Sequence, residues 1–397
     1  MAIEYLTFDA DGDLLLLLGQ PIKPEIDDNE VAGIIDPEFA MSVYEKALDV
    51  PMDFIEISDS ESGSTTMDLA GEEVIDSEPE SEPPLQEMHM LVSSKTLMIA
   101  SSVFKAMLQK GHFKEGSKLE SGKTEISLDD DPAAFKILMD ILHFNARKVP
   151  RTVDLKTLTN LAVLVDKYSV LEPVEVFAER WIAQLRETMP TTLTKDLLPW
   201  ICIAWVFQSP EVLVTAVKVA LKWSDGMIEA SVTQDLPIPE SLLNAIEDSR
   251  QHLLAEMLRP WQDLIDKYLK PARKNTICRE AYPESTKERK KRRDKCDKLM
   301  AGSIVRSGLD NELYPPPNAP YHGISLRGMM SSMSLLSFMA ECDDPSIEWP
   351  AGKKPLWSGH GHTRKIRERM SRLQRSISQV TLEDLVGEDW QDLRETS

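Results

Sequence analysis

The chain has 397 residues, four cysteines and a formal net charge of -21. Four cysteines are too few for a disulfide scaffold and fit a reducing compartment, and the length allows one large core or two smaller ones. The N-terminus MAIEYLTFDADGD has no basic region and no apolar core, so it is not a secretory signal, and the longest apolar run, Leu197 to Phe207 with Pro199 inside it, falls short of the ~20 residues of a membrane span.

Ile3 to Leu18 reads as two short strands around the turn signal Asp9-Ala10-Asp11-Gly12. The second strand is apolar without alternation, which fits cover on both faces. The Asp9, Asp11 and Asp13 spacing suggests a calcium loop, but its sixth and twelfth positions are Leu14 and Gln20 rather than glycine and glutamate. A tight turn is the better reading. Pro24 to Glu87 then holds twenty acidic residues against the single Lys46, so nearly all of the net charge sits there and the rest of the chain is close to balanced. A segment this acidic and this poor in aromatics cannot bury enough apolar surface to offset its ordering entropy, and we expect it to be disordered. Within it, Ile34 to Leu48 has the pattern of a weak, transient helix. Phe54-Ile55-Glu56-Ile57 beside Ser58-Asp59-Ser60-Glu61 resembles a SUMO-interacting motif, in which a peptide adds a strand to a sheet edge. Phosphorylation of Ser58 or Ser60 would add charge there. The motif is short and recurs by chance, so an incidental apolar cluster in a linker is the simpler reading of Phe54, Ile55 and Ile57.

Met88 to Leu171 is the organising stretch. It reads as a strand, two short helices, a strand, a helix, a loop and a helix. Ser94 is the candidate cap of the turn containing Leu97 and Met98, and Ser101 that of the helix burying Val103, Phe104, Met107 and Leu108. Gly111 would stop that helix. Asp131-Pro132 is an N-cap with proline at the first helical position, followed by Phe135, Leu138, Met139 and Leu142 on one face. Leu155, Leu158, Leu161, Ala162, Val165 and Tyr168 repeat the pattern.

This stretch resembles the BTB/POZ domain, most of all the BTB proteins of fungi. The residues that carry the resemblance are Leu97, Ser101 and Phe104, Phe113 to Glu115, Ile126 and Leu128 before Asp131, Phe135 to His143, the run from Leu142 to Pro150, and Val165-Asp166-Lys167-Tyr168. It covers roughly a quarter of the chain. One departure is Ser93, where the family usually has histidine. The resemblance implies a small sheet with a cluster of helices, of which Asp13 to Leu18 is the first strand. The acidic segment is then an insertion, tolerable because loop closure costs grow only logarithmically with length. In the family, an apolar residue, any residue and glutamate after the second helix mark adaptors for cullin-type ubiquitin ligases. Phe113-Lys114-Glu115 fits that pattern; alternatively Phe113 closes the core. Dimeric members often exchange an N-terminal helix, for which this chain leaves no room before its first strand, so homodimerisation stays open.

Beyond the resemblance, Pro173 to Leu185 reads as a helix contacting the core through Trp181 and Ile182, and Thr194 to Trp223 as two packed helices broken at Gln208-Ser209-Pro210, with Cys202 a small buried apolar residue. This helical extension is expected to pack on the core. Pro237 to Leu269 is one or two helices with a kink or break at Pro260. Lys270 to Lys298 carries twelve basic against five acidic residues, densest at Lys287, Arg289, Lys290, Lys291, Arg292, Arg293 and Lys295. That run fits a nuclear import signal or a solvated helix face, and it is also placed to dock the acidic segment loosely. Nucleic-acid contact would rest on it alone and lacks interleaved aromatics. Ser325 to Ala340 is a Met-rich helix whose Met329, Met330, Met333, Leu336 and Met339 pack on the protein, Glu341 to His362 is irregular, Thr363 to Ile377 is a surface helix, and Thr381 to Trp390 is a small acidic amphipathic tail.

No phosphate loop, dinucleotide fingerprint or zinc-protease helix is present, and Gly323 to Gly328 is one residue too long for a nucleophile elbow. Cys278, Cys296 and Cys342 with His360 or His362 would make an adequate zinc ligand set, but no close C-x2-C pair exists, and the spacing favours unrelated residues without a metal. The expected fold class is α+β: a BTB/POZ-like small sheet and helical cluster, a long acidic insertion, and a mostly α-helical C-terminal region. The expected divisions are 1–20 (first strands), 21–87 (insertion), 88–186 (BTB core), 187–270 (helical extension), 271–300 (basic linker) and 301–397 (mostly helical or irregular). The expected role is a non-enzymatic, cofactor-free interaction module working with protein partners, cullin among them, in nucleus or cytoplasm and without membrane contact. The alternative is a nuclear transcription-associated regulator.

Overall fold

Five consecutive leucines, Leu14–Leu18 (β2), form a central strand, since a run without polar positions suits the interior of a sheet better than its edge. In this computed structural model, which describes residues 3–19, 87–109, 124–228, 235–269, 275–349, 351–352, 354–355, 358–381 and 383, β2 pairs antiparallel with Met88–Val92 (β3) and parallel with Thr124–Leu128 (β4). Leu16 faces Met90 on one side and Ile126 on the other. Glu4–Thr7 (β1) adds to the outer edge of β3 in parallel, giving a four-stranded mixed sheet of order β1-β3-β2-β4. The two strands expected near the N-terminus are therefore present but are not partners, since β3 lies between them. The turn linking them is tight: the Asp11 N–H donates to Asp9 Oδ1 at 3.0 Å. A Cβ on Gly12 would stand 2.8 Å from the Val92 carbonyl oxygen, so only glycine lets the chain pass so close to the end of β3. Burial along β2 alternates, with Leu14, Leu16 and Leu18 fully buried and Leu15 and Leu17 partly covered, so one face is closed and the other only partly.

The strands on either side of the acidic segment thus share one sheet and one hydrophobic core. Except for Glu87, the segment from Pro24 to Glu87 lies outside the described residues.

Five helices share the hydrophobic core of the sheet: Ser94–Ala100 (α1), Ser102–Leu108 (α2), Pro132–Leu142 (α3), Leu155–Tyr168 (α4) and Leu171–Leu185 (α5). Ser93, not Ser94, caps α1, accepting from the Thr96 N–H. Ser94 is one residue inside the helix, and its N–H and hydroxyl both donate to the Asp13 carboxylate, at 2.8 and 2.6 Å. Asp13 at the mouth of β2 thereby fixes the start of α1. Ser101 and Asp131 cap α2 and α3 as expected, at 2.9 and 2.7 Å. Helix α2 ends at Leu108, and Gly111 lies outside the described residues. Tyr168 closes the unit. Its ring stacks on Phe104 at 4.4 Å, its carbonyl accepts from the Ser101 hydroxyl, and its own hydroxyl donates to Asp130.

Leu197–Val206 (α6) and Pro210–Trp223 (α7) form a helical hairpin, and α6 packs on α4. Helix α6 is apolar around its whole circumference and mostly buried, with Leu198 and Trp205 only partly covered on one face, and Cys202 within it is fully buried. Glu240–Leu269 (α8) runs as a single 30-residue helix through Pro260. Thr286–Asp310 (α9), Leu326–Leu335 (α10) and His362–Gln379 (α11) complete eleven α-helices among the described residues. Met329, Met333 and Leu336 are buried and Met330 partly so, as expected, but Met339 is exposed because α10 has already ended at Leu335. Helix α11 buries Ile366, Met370, Leu373 and Ile377 at helical spacing, leaving its arginines outside. Of the acidic tail, only Thr381 and Glu383 are described. Among the described residues, no helix is long and apolar enough to cross a membrane.

Candidate metal centre

Four side chains from four separate pieces of backbone converge beside α9. Cys278 comes from the loop before α9, Cys296 from α9 itself, Cys342 from the 3-10 turn Glu341–Asp343, and His360 from the 3-10 turn Ser358–Gly361. Their ligand atoms all lie within 4.8 Å of one another. Cys296 Sγ is 3.9 Å from Cys342 Sγ and 3.3 Å from His360 Nε2, and Cys342 Sγ is 3.7 Å from His360 Nε2. The three sulfurs are buried and free of disulfides.

Each ligand is held by its own local device. The Asp297 carboxylate, one residue after Cys296, accepts from the N–H groups of Ile277 and Cys278, tying the incoming loop to α9. The Asp343 carboxylate, one residue after Cys342, accepts from the Ala340 and Gly359 N–H groups, at 2.8 and 2.9 Å, and so joins the Cys342 turn to the His360 turn. Gly359, His360 and Gly361 all have positive φ, at 55°, 55° and 73°. A Cβ on Gly359 would meet the Phe338 carbonyl oxygen at 2.7 Å, so this close turn requires glycine.

The cluster is electrically unusual for a protein interior. The close approach of Cys278 and Cys342, and then of His360, holds Cys296 well below the usual thiol range. Cys278 and Cys296 in turn lift His360 to about 10, while Cys342 is pushed up by its sulfur neighbours. The fully buried Tyr282 hydroxyl borders Cys296 and makes no hydrogen bond of normal geometry. His362, the alternative fourth ligand, is turned away: its Nε2 is 3.4 Å from the Tyr268 hydroxyl.

The expectation that these cysteines and His360 are unrelated is therefore corrected, because the fold brings all four together. The missing close pair misled, since the ligands are gathered by tertiary packing rather than by one short loop. The sign visible in the sequence was composition: three of the four cysteines fall in the C-terminal region with His360 and His362.

The basic run lies along α9. Arg289 and Arg293 spend their guanidinium donors on backbone carbonyls of the preceding loop, those of Tyr282 and Glu284 and of Arg279 and Glu280. Arg292 bonds Glu284 at 2.9 Å and Lys295 bonds Glu341 at 2.8 Å. These residues wrap the Cys278 loop and the Cys342 turn onto the helix. Lys287, Lys290 and Lys291 are exposed. Phe113, Glu115, Phe54, Ile55 and Ile57 lie outside the described residues. Residue-by-residue reading also missed Arg250, which is fully buried, pairs with Glu247 at 2.7 Å and donates to the carbonyls of Pro320, Tyr321 and Ile324. It pins the proline-rich loop to α8.

No family model, curated protein or solved structure matches this chain.

Proposed function

We propose that this chain is a non-enzymatic protein-interaction module, an adaptor or scaffold of BTB/POZ type. The observation that carries the reading is the pairing of β2 with β3 and β4 across the acidic segment, in one hydrophobic core with helices α1 to α5. Such units dock partners through helix faces and sheet edges. Here Tyr5 on the edge strand β1, Ile99 on α1 and Val176 on α5 are exposed large apolar side chains. Recruitment of a cullin through Phe113 and Glu115 is the specific form of the proposal, with Phe113 as the apolar anchor and Glu115 on the charged rim.

The second reading, a nuclear regulator, is favoured by the exposure of Lys287, Lys290 and Lys291 on one helix. Affinity capture of wild type and Phe113→Ala, read by mass spectrometry, separates the two. Cullin recovered by wild type and lost from the folded variant supports the adaptor. Equal cullin recovery removes Phe113 from the argument. Import receptors recovered in place of cullin favour the nuclear reading.

A further inference from the structure

We infer that Cys278, Cys296, Cys342 and His360 hold one Zn2+ in a closed, structural tetrahedral site. Zinc binds thiolate at about 2.3 Å and imidazole at about 2.0 Å, so a tetrahedral Cys3His shell has ligand–ligand edges of roughly 3.5–3.8 Å. The three separations among Cys296, Cys342 and His360, at 3.3, 3.7 and 3.9 Å, are of that size, and Cys278 Sγ lies within 4.8 Å of each of those atoms. A sulfur pair at 3.9 Å is far outside disulfide bonding, which is near 2.05 Å, so oxidation does not explain the approach. Soft thiolates with one imidazole select zinc over oxygen-seeking calcium or magnesium. Four protein ligands leave no open position for water or substrate, the arrangement of a structural rather than a catalytic site.

Binding needs no oxidant. Each sulfur that still carries a proton releases it to solvent on coordination, as does His360 Nε2, so that the metal is held by three thiolates and one neutral imidazole bound through Nε2. Asp297 and Asp343 act behind the ligands, each holding the backbone that presents one. The Tyr282 hydroxyl, buried beside Cys296, is placed to donate to the metal-bound thiolate. The site would fasten the Cys342 and His360 turns to α9, where regular secondary structure is sparse.

The test uses the full chain purified without chelator. Elemental analysis is expected to give about one zinc per chain; less than about a tenth of an equivalent overturns the inference. Exchange with Co2+ alone is expected to give thiolate charge-transfer bands and the intense visible absorption of a tetrahedral ion. A weak, octahedral spectrum overturns it, and this readout needs no variant that could fail to fold. His360→Ala and Cys342→Ala should lose the metal, whereas Cys202→Ala and His362→Ala should keep it. Loss with His362→Ala and retention with His360→Ala would overturn the ligand set.

Discussion

His143 shows how much one ring can settle. Its Nδ1 lies 3.0 Å from the Met139 carbonyl oxygen, and its Nε2 lies 3.2 Å from the Ser93 amide nitrogen. Nδ1 therefore carries the hydrogen and Nε2 accepts from the residue that caps α1. Burial lowers its pKa below the ordinary 6.5, outweighing Asp9 and Asp140 nearby, which favour the proton. A depressed folded value means that the unfolded chain binds the proton first as pH falls. The stability this contributes is present above about pH 6.5 and is lost as pH drops through the folded value. We expect the fall in melting temperature between about pH 7.5 and pH 5.5 to be smaller in His143→Gln than in wild type. Equal falls in both proteins would show that His143 does not titrate with unfolding.

At the scale of elements, α9 contains two glycines in opposite surroundings. A Cβ on Gly308 would stand 2.7 Å from the Trp261 ring and 2.8 Å from Tyr314 Cβ, whereas one on Gly302 meets nothing within 4 Å. Trp261 has no room to retreat. It is fully buried, stacks on Phe338 and donates its ring N–H to the Leu313 carbonyl at 2.9 Å. Gly308→Ala should thus destabilise the protein by about 1–3 kcal/mol through overpacking. Gly302→Ala should stabilise it by about 0.5–1 kcal/mol, because alanine gives up less backbone entropy in a helix. Urea midpoints at unchanged slope measure both. Two shifts of the same sign would mean that α8 and α9 are not packed as described. The same helix pair explains the unbroken course of α8: Trp261, Leu264, Met257 and Leu258 are buried around Pro260, so tertiary contacts carry the helix past a residue that removes one backbone bond.

Across the whole molecule, residues 3–19 are attached by more than their covalent link. β1 pairs with β3, and β2 is hydrogen-bonded on both edges. Leu14, Leu16 and Leu18 are each fully buried, and burying a leucine is worth about 1.5–3 kcal/mol. Cleavage at an engineered protease site within residues 20–86 should leave the two pieces co-eluting in gel filtration and parting only in denaturant. Pieces that separate in native buffer would undo the sheet pairing.

The sequence alone determined local matters. The apolar period of α3, α4 and α11, the caps at Ser101 and Asp131, the break between α6 and α7 and the acidic segment were legible because each depends on residues a few positions apart. The tertiary structure decided whatever joins distant positions. It set β3 between β1 and β2, moved the α1 cap to Ser93 because Asp13 takes up Ser94, and buried Arg250 against a loop some seventy residues later. The metal centre belongs to that second class. Cys296 and Cys342 are 46 residues apart, and no short-range spacing rule relates them. Their meeting is fixed by Asp297, Asp343 and the arginines of α9, whose hydrogen bonds fold the intervening segments back onto one helix.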